Sequence, residues 1–339
     1  MTAESVAIIA VMRLILSSTL LLYAVFTPLA GAVDLDVSGL QSALAAIAKG
    51  FDGRIGACVQ SASRTACILD DSRFSLQSVV KLVVGVAVLD SVDKGRWRLD
   101  DTVIVHTKDL SLFVQPIAKL VGASGYRTTI GDLVRRAIID SDSAATDFLI
   151  ARLGGPSSVQ AVLNTKRIQG IRVDRDERHL QTEILGLTWR PEYVDAAVLD
   201  QAIREVPSVR RQQAYAKYQV DPRDTATPNG MASFLLRLAG GEILSRSSTA
   251  YILKAMSECK TFPDRLKAGV SSGWQIYHKT GTSGSWDGLT AATNDVGILV
   301  APDGSRISVA VFVADSRSDA TSRAATIAKI SSAAIAHCR

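Results

Sequence analysis

The sequence predicts an α/β lobe whose antiparallel sheet is built from both chain ends and flanked by helices, with an all-α lobe inserted between its two halves. Three observations predict it: strand patterns cluster near the two ends, the long middle stretch runs mostly in helical period, and a helical pattern closes each end over the strands. An insertion of this kind leaves a cleft between the lobes, the usual place for a site.

Taken in chain order, residues 1–32 read as an address. Arg13 precedes an apolar run, Leu14 to Ala30, that ends in the small triplet Ala30-Gly31-Ala32, so a signal peptide cleaved before Val33 is expected. The rival is a retained membrane anchor, for which the run is short. Val33 is not Cys, which closes the lipoprotein route, and Met12-Arg13 makes a tidier signal start than Met1-Thr2. Cleavage leaves no stable membrane anchor and places the chain in the periplasm or outside the cell.

A helix is expected over Leu40 to Ala48, then a hairpin that sets Cys58 against Cys67 across Ser61-Ala62-Ser63-Arg64. Two readings stay open for that pair, a cross-strand disulfide in an oxidising compartment or buried free thiols, since with Cys259 and Cys338 three connectivities are possible. Val79 to Val88 is dense in β-branched residues, as a strand would be. Its long apolar run ending at Asp90 equally fits a helix buried all round, and helix is preferred for the chemistry given below. Helical period recurs at Ile130 to Ile139, Ala144 to Leu153 and Met231 to Leu238. Strands are expected at Trp274 to His278, Asp295 to Val300 and Ile307 to Val313, and a last helix over Asp319 to His337. The α/β lobe thus comprises 33–76 and 266–339, and the helical lobe 77–265.

Composition excludes several classes. The chain is 47% hydrophobic and 21% charged, which rules out collagen-like and disordered readings. A net charge of +5 without runs of Lys or Arg gives no case for nucleic acid. There is no phosphate-cradling glycine loop, no helical His pair and no closely spaced Cys pair, so no metal and no cofactor is expected. Gly269-Val270-Ser271-Ser272-Gly273 matches a nucleophile-elbow string, but it follows a helical region and leads into a strand, so it reads as a connecting turn.

Ser78-Val79-Val80-Lys81 carries more. Residues three apart share a helix face, which sets the Lys81 amine beside the Ser78 hydroxyl: a serine nucleophile activated without histidine. Spacing alone is weak, since Ser91 with Lys94 and Ser257 with Lys260 share it. The first match differs by its company, Ser141-Asp142-Ser143 and Lys279-Thr280-Gly281-Thr282 downstream. Each of these read alone is a helix cap or a turn.

With these motifs in this order, the chain resembles a class A serine β-lactamase over nearly its whole mature length, and the fold this implies is the β-lactamase/transpeptidase-like one. A fourth element fits, Arg172 to Gln181 rejoined by Asp221 to Pro228, the two ends of the family's Ω loop, tied by Arg175 and Asp224. The resemblance implies that Ser78 attacks the β-lactam carbonyl, with Lys81 or Glu177 through a water taking its proton. It implies that backbone amides of Ser78 and Thr282 hold the oxyanion and that Ser141 relays a proton to the leaving nitrogen. Lys279 and Thr280, beside Gly281, would attract the substrate carboxylate, and Glu177 would activate the hydrolytic water. Arg265 stands where some members carry a guanidinium near that carboxylate; a solvated surface arginine is the alternative. The expected partner is a small-molecule β-lactam and the expected state a monomer.

Departures bear on substrate range. Ser143 stands where the family usually has Asn, offering one donor in place of two toward a substrate amide. Gln181 replaces the Asn that helps hold the water. The Ω loop is lengthened by Thr182 to Val220, with five basic and five acidic residues and helical patterns at Pro191 to Val206 and Val209 to Tyr218. This stretch is expected beside the cleft as a lid, an association surface or a passive elaboration. Gln77 and the longer segment after Lys279 resemble the extended-spectrum branch and suggest cephalosporins. Two rivals share the fold: a D-alanyl-D-alanine peptidase or esterase, and a penicillin-binding sensor. Neither needs Glu177.

Overall fold

A computed structural model describes residues 34–339; the expected leader, 1–32, lies outside the described residues. Helix α1 (Val37–Lys49) opens on Asp36, whose carboxylate accepts from Gly39 N at 3.1 Å. Strands β1 (Arg54–Gln60) and β2 (Thr65–Ile68) form the hairpin with Cys58 directly opposite Cys67, and the two sulfurs are bonded. Of the two readings of this pair, free thiols are thereby removed.

Helix α2 (Val80–Asp93) is buried continuously from Val80 to Ser91, and all-round burial overrides its β-branched composition. Then follow α3 (Ile130–Ile139), α4 (Ser143–Leu153), α5 (Pro156–Thr165) and α6 (Glu177–Ile184). The lengthened loop holds α7 (Ala196–Glu205) and α8 (Ser208–Gln219), and α9 (Pro228–Ala239) and α10 (Arg246–Ser257) come after it. The single helix expected from Pro191 is instead a 3-10 turn, Pro191–Val194, followed by a break. Asp195 turns extended there and caps α7 by accepting from Ala197 N. The helical segment also carries a two-stranded ribbon, Thr102–Val105 with Tyr126–Thr129.

The chain returns to the sheet with β3 (Gln275–Thr282), β4 (Thr293–Val300), β5 (Arg306–Ala314) and a closing helix α11 (Ala320–Ala336). Strand β3 runs four residues past His278, because Thr282 pairs with Thr293 on β4 and the ladder continues through Lys279 to Gly281. The sheet order is β2-β1-β5-β4-β3, antiparallel throughout.

Alternation along β5 divides the core. Ile307, Val309, Val311 and Val313 pack toward α1 and α11, whereas Ala310, Phe312 and Ala314 join the larger core with α2, α3, α9 and α10. The inner sheet face and the helices around α2 therefore share one hydrophobic core. No helix of the described residues is long and apolar enough to cross a membrane.

Candidate active site

Ser78 sits in the 3-10 turn Gln77–Val79 that leads into α2, so its hydroxyl stands at the helix entrance. The preceding Gln77 holds φ at +46°, and Asn294 on β4 donates to the carbonyls of Ser75 and Leu76 at 2.8 and 3.1 Å, tying the turn to the sheet. One helical turn on, Lys81 Nζ donates to Ser78 Oγ at 2.9 Å and to Ser143 Oγ at 3.1 Å. It also lies 3.0 Å from Glu177 Oε1. That carboxylate oxygen has no aligned hydrogen-bond donor, which leaves it able to accept from water.

Glu177 begins α6 and is held by its backbone. Its N–H donates to Asp147 Oδ1 at 2.8 Å, and Arg178 grips the same carboxylate. Burial pushes the Asp147 carboxyl up, to about 7, with the charges of Asp176 and Glu177 adding and Ser111 and Arg178 opposing. The loop base is closed by Arg175 Nε on Asp224 Oδ2 at 2.6 Å, reinforced by Glu183 and Asp221.

On the opposite wall, Ser141 adopts φ +59° just before Asp142, which caps α4 by accepting from Ala145 N. The helix-cap reading of that triplet and its place in the cleft both hold. Lys279 Nζ, wholly buried, donates to Ser141 Oγ at 3.0 Å and to the Thr280 carbonyl. Burial, with the Lys81 charge beside it, pulls its amine down to about 8. Gly281 passes so close to the nucleophile turn that a Cβ there would meet Leu76 O at 2.6 Å and Ser78 N at 3.1 Å. Strand β3 thus lies against the amide of Ser78.

Arg265 is not the solvated surface arginine that was the alternative. It is 3% exposed, and its guanidinium donates to the carbonyls of Gly281 and Asn294 and to Thr282 Oγ1 at 2.7 Å. Gln181 lies between Gln77 and Glu177, its Nε2 at 3.1 and 3.4 Å from their oxygens. A cleft of about 320 Å³ opens over Ser78, Ser141, Ser143, Glu177, Gln181 and the Thr280 to Gly284 segment, with Phe113, Val114 and Phe262 at its rim. A roomier groove, about 440 Å³, lies apart from this chemistry between α6 and α8.

Sequence reasoning missed several supports. Asp147 was signalled only as the one acid within α4. Behind Lys279, His278 Nδ1 contacts Asp295 at 3.0 Å; burial pulls the imidazole down, but Asp295 outweighs it and holds it at about 10. Thr261 bonds Thr280 through their hydroxyls. Nothing in the local pattern marked Thr261, Asp295 or Tyr218.

A family model described as the beta-lactamase enzyme family matches residues 39–338. The chain is 32% identical over 263 residues to extended-spectrum beta-lactamase PER-1 of Pseudomonas aeruginosa, covering 77% of this chain and 74% of that one. It is 28% identical over 275 residues to beta-lactamase VEB-1 of the same organism, covering 80% and 81%. Among solved structures, a beta-lactamase from Chitinophaga pinensis is similar with TM-score 0.72 at 26% identity, covering 87% of this chain and 97% of that one. An ancestral class A beta-lactamase gives TM-score 0.70 at 30% identity, covering 88% and 99%. Matched along almost all of its described length, the chain belongs to the β-lactamase enzyme family, as a class A serine β-lactamase that hydrolyses β-lactams.

Proposed function

We propose that hydrolysis runs through an acyl-enzyme on Ser78 that a water directed by Glu177 releases. The observation that carries this is the position of one amine: Lys81 Nζ is 2.9 Å from Ser78 Oγ and 3.0 Å from Glu177 Oε1, so both groups that can take the hydroxyl proton converge on the nucleophile. Ser78 Oγ attacks the lactam carbonyl carbon while its proton passes to Lys81, or through a water to Glu177. The amides of Ser78 and Thr282 take the oxyanion. As the C–N bond breaks, Ser141 hands its proton to the nitrogen and is resupplied with the one taken from Ser78, which returns Lys81 and Glu177 to their starting states while Lys279 keeps its charge. Glu177 then takes a proton from water, the hydroxide attacks the ester, and the same proton passes to Ser78 Oγ as it leaves.

The substrate carboxylate falls to Lys279, Thr280 and Thr282, with Arg265 holding the Thr282 hydroxyl from behind. Ser143 accepts from Lys81, which leaves its own O–H for a substrate amide. Cephalosporins are the first substrates to try, a choice supported by the extended-spectrum relative. Export to an oxidising compartment is supported by the bonded Cys58 and Cys67.

The test is a chromogenic cephalosporin with the purified protein beside Ser78→Ala and Glu177→Ala. Sustained turnover is expected, lost without reaction in the first variant and arrested after one equivalent in the second. A single stoichiometric burst from the unaltered protein would favour the peptidase or sensor reading.

A further inference from the structure

Helix α8 of the lengthened loop is tied to the residues around Glu177 through the Tyr218 hydroxyl. Tyr218, at the end of α8, is buried with its ring edge-on to Tyr215. Its hydroxyl lies 2.7 Å from Ser75 Oγ and accepts from Gln77 Nε2. Gln77 Oε1 accepts from Gln181 Nε2 at 3.1 Å, and that same nitrogen is 3.4 Å from Glu177 Oε2. A carboxylate can only accept, so Gln181 presents its NH2 group to Glu177, and the Gln77 oxygen accepts from that same nitrogen. This leaves the Gln77 NH2 group to donate to Tyr218, whose single proton is then free for Ser75. The chain of donors thus starts at Glu177 and ends on the Tyr218 hydroxyl.

We propose that Tyr218 is a positioning residue for deacylation: by accepting from Gln77 it anchors the far end of this chain and so holds Gln181 Nε2 against the catalytic carboxylate. The inference rests on the reading of Glu177 given above. Remove the hydroxyl and the buried Gln77 NH2 group loses its acceptor, so Gln77 is free to shift and Gln181 loses the second partner that holds it beside Glu177. Helix α8 would in this way have become part of the catalytic support. Its packing is consistent with that, since Tyr215 and Tyr218 form one apolar cluster with Leu180 and Ile184 on α6, the helix that begins at Glu177.

The experiment compares the unaltered protein with Tyr218→Phe, Gln77→Leu and their double variant, on a cephalosporin that gives a burst. Slower deacylation lowers kcat and KM together and leaves kcat/KM in place. About a ten-fold fall in both is expected for Tyr218→Phe, the order of one lost hydrogen bond, with acyl-enzyme accumulating by intact mass. The double variant should be no slower than the slower single one. Tyr215→Phe serves as the control: its hydroxyl bonds Gly284, Leu289 and Ala291 instead of Gln77, so it should lower Tm without the paired fall. A loss in kcat/KM with KM unchanged, additive losses in the double variant, no effect at all, or the same signature in Tyr215→Phe would each overturn the relay. Glu177→Ala run in parallel keeps the two ideas apart. If it fails to trap acyl-enzyme the parent reading fails; if it traps while Tyr218→Phe is unaffected, only the relay does.

Discussion

Lys81 and Glu177 form an ion pair at 3.0 Å with side chains only 1% and 3% exposed, one from the first turn of α2 and the other from the first residue of α6. Each charge depends on the other for its solvation. Replacing only Lys81 by Met strands a buried carboxylate, and urea unfolding should show a loss of about 3–5 kcal/mol. Lys81→Met with Glu177→Leu, though inactive, should recover most of that loss. A double variant as unstable as the single one would show that the pair is not mutually stabilising.

Lys279 gives the pH dependence its upper limb. Its amine is drawn down to about 8, so the charged form is complete only well below that pH and is lost as pH rises through it. KM for a cephalosporin carrying its carboxylate should climb by up to about ten-fold per pH unit above pH 8. The methyl ester of the same compound, lacking the charge, should show a flat KM across the range. Parallel rises for both compounds would assign the limb to another group.

Gly281 has no space for a side chain. The contacts awaiting a Cβ are backbone atoms of Leu76, Ser78 and Val79, which cannot swing aside. Gly281→Ala should drive β3 away from the nucleophile turn and slow acylation by about 100-fold, with the near-ultraviolet circular dichroism unchanged. Normal burst kinetics in that variant would mean that the close approach is not needed for chemistry.

Asp224 holds the loop base in three ways: Oδ1 accepts from the amides of Asp174 and Arg175 at 2.7 and 2.9 Å, and Oδ2 meets Arg175 Nε. Its φ of +50° suits an Asp or Asn better than most residues. Asp224→Asn should cost about 1–2 kcal/mol in thermal unfolding and Asp224→Ala about 3 kcal/mol, because Arg175 retains Glu183 and Asp221. Protease cleavage between Arg172 and Arg223 should quicken in the same order.

Much of the site was legible because its groups lie in short motifs whose geometry is local. The spacing of Ser78 and Lys81 needs only one helical turn, and the triplet at Ser141 only a helix cap. What locality could not do was choose among three identical spacings, or say whether facing cysteines were joined. Arg265 was read ambiguously because its burial comes from carbonyls on β3 and β4, as many as 29 residues away. Tyr218 was invisible because its partner Gln77 lies 141 positions earlier. The helix expected from Pro191 was misplaced because proline suits a first turn of either helix type, and the capping Asp195 decided where the α-helix began.

The backbones of Asp34 and Arg339 exchange hydrogen bonds, and β1 finds its long partner only in β5. A growing polypeptide therefore carries α1 and the first hairpin without their neighbours until Arg306 to Ala336 has left the ribosome. Closure of the sheet waits for that stretch, so until it emerges the polypeptide stays unlocked and able to be threaded.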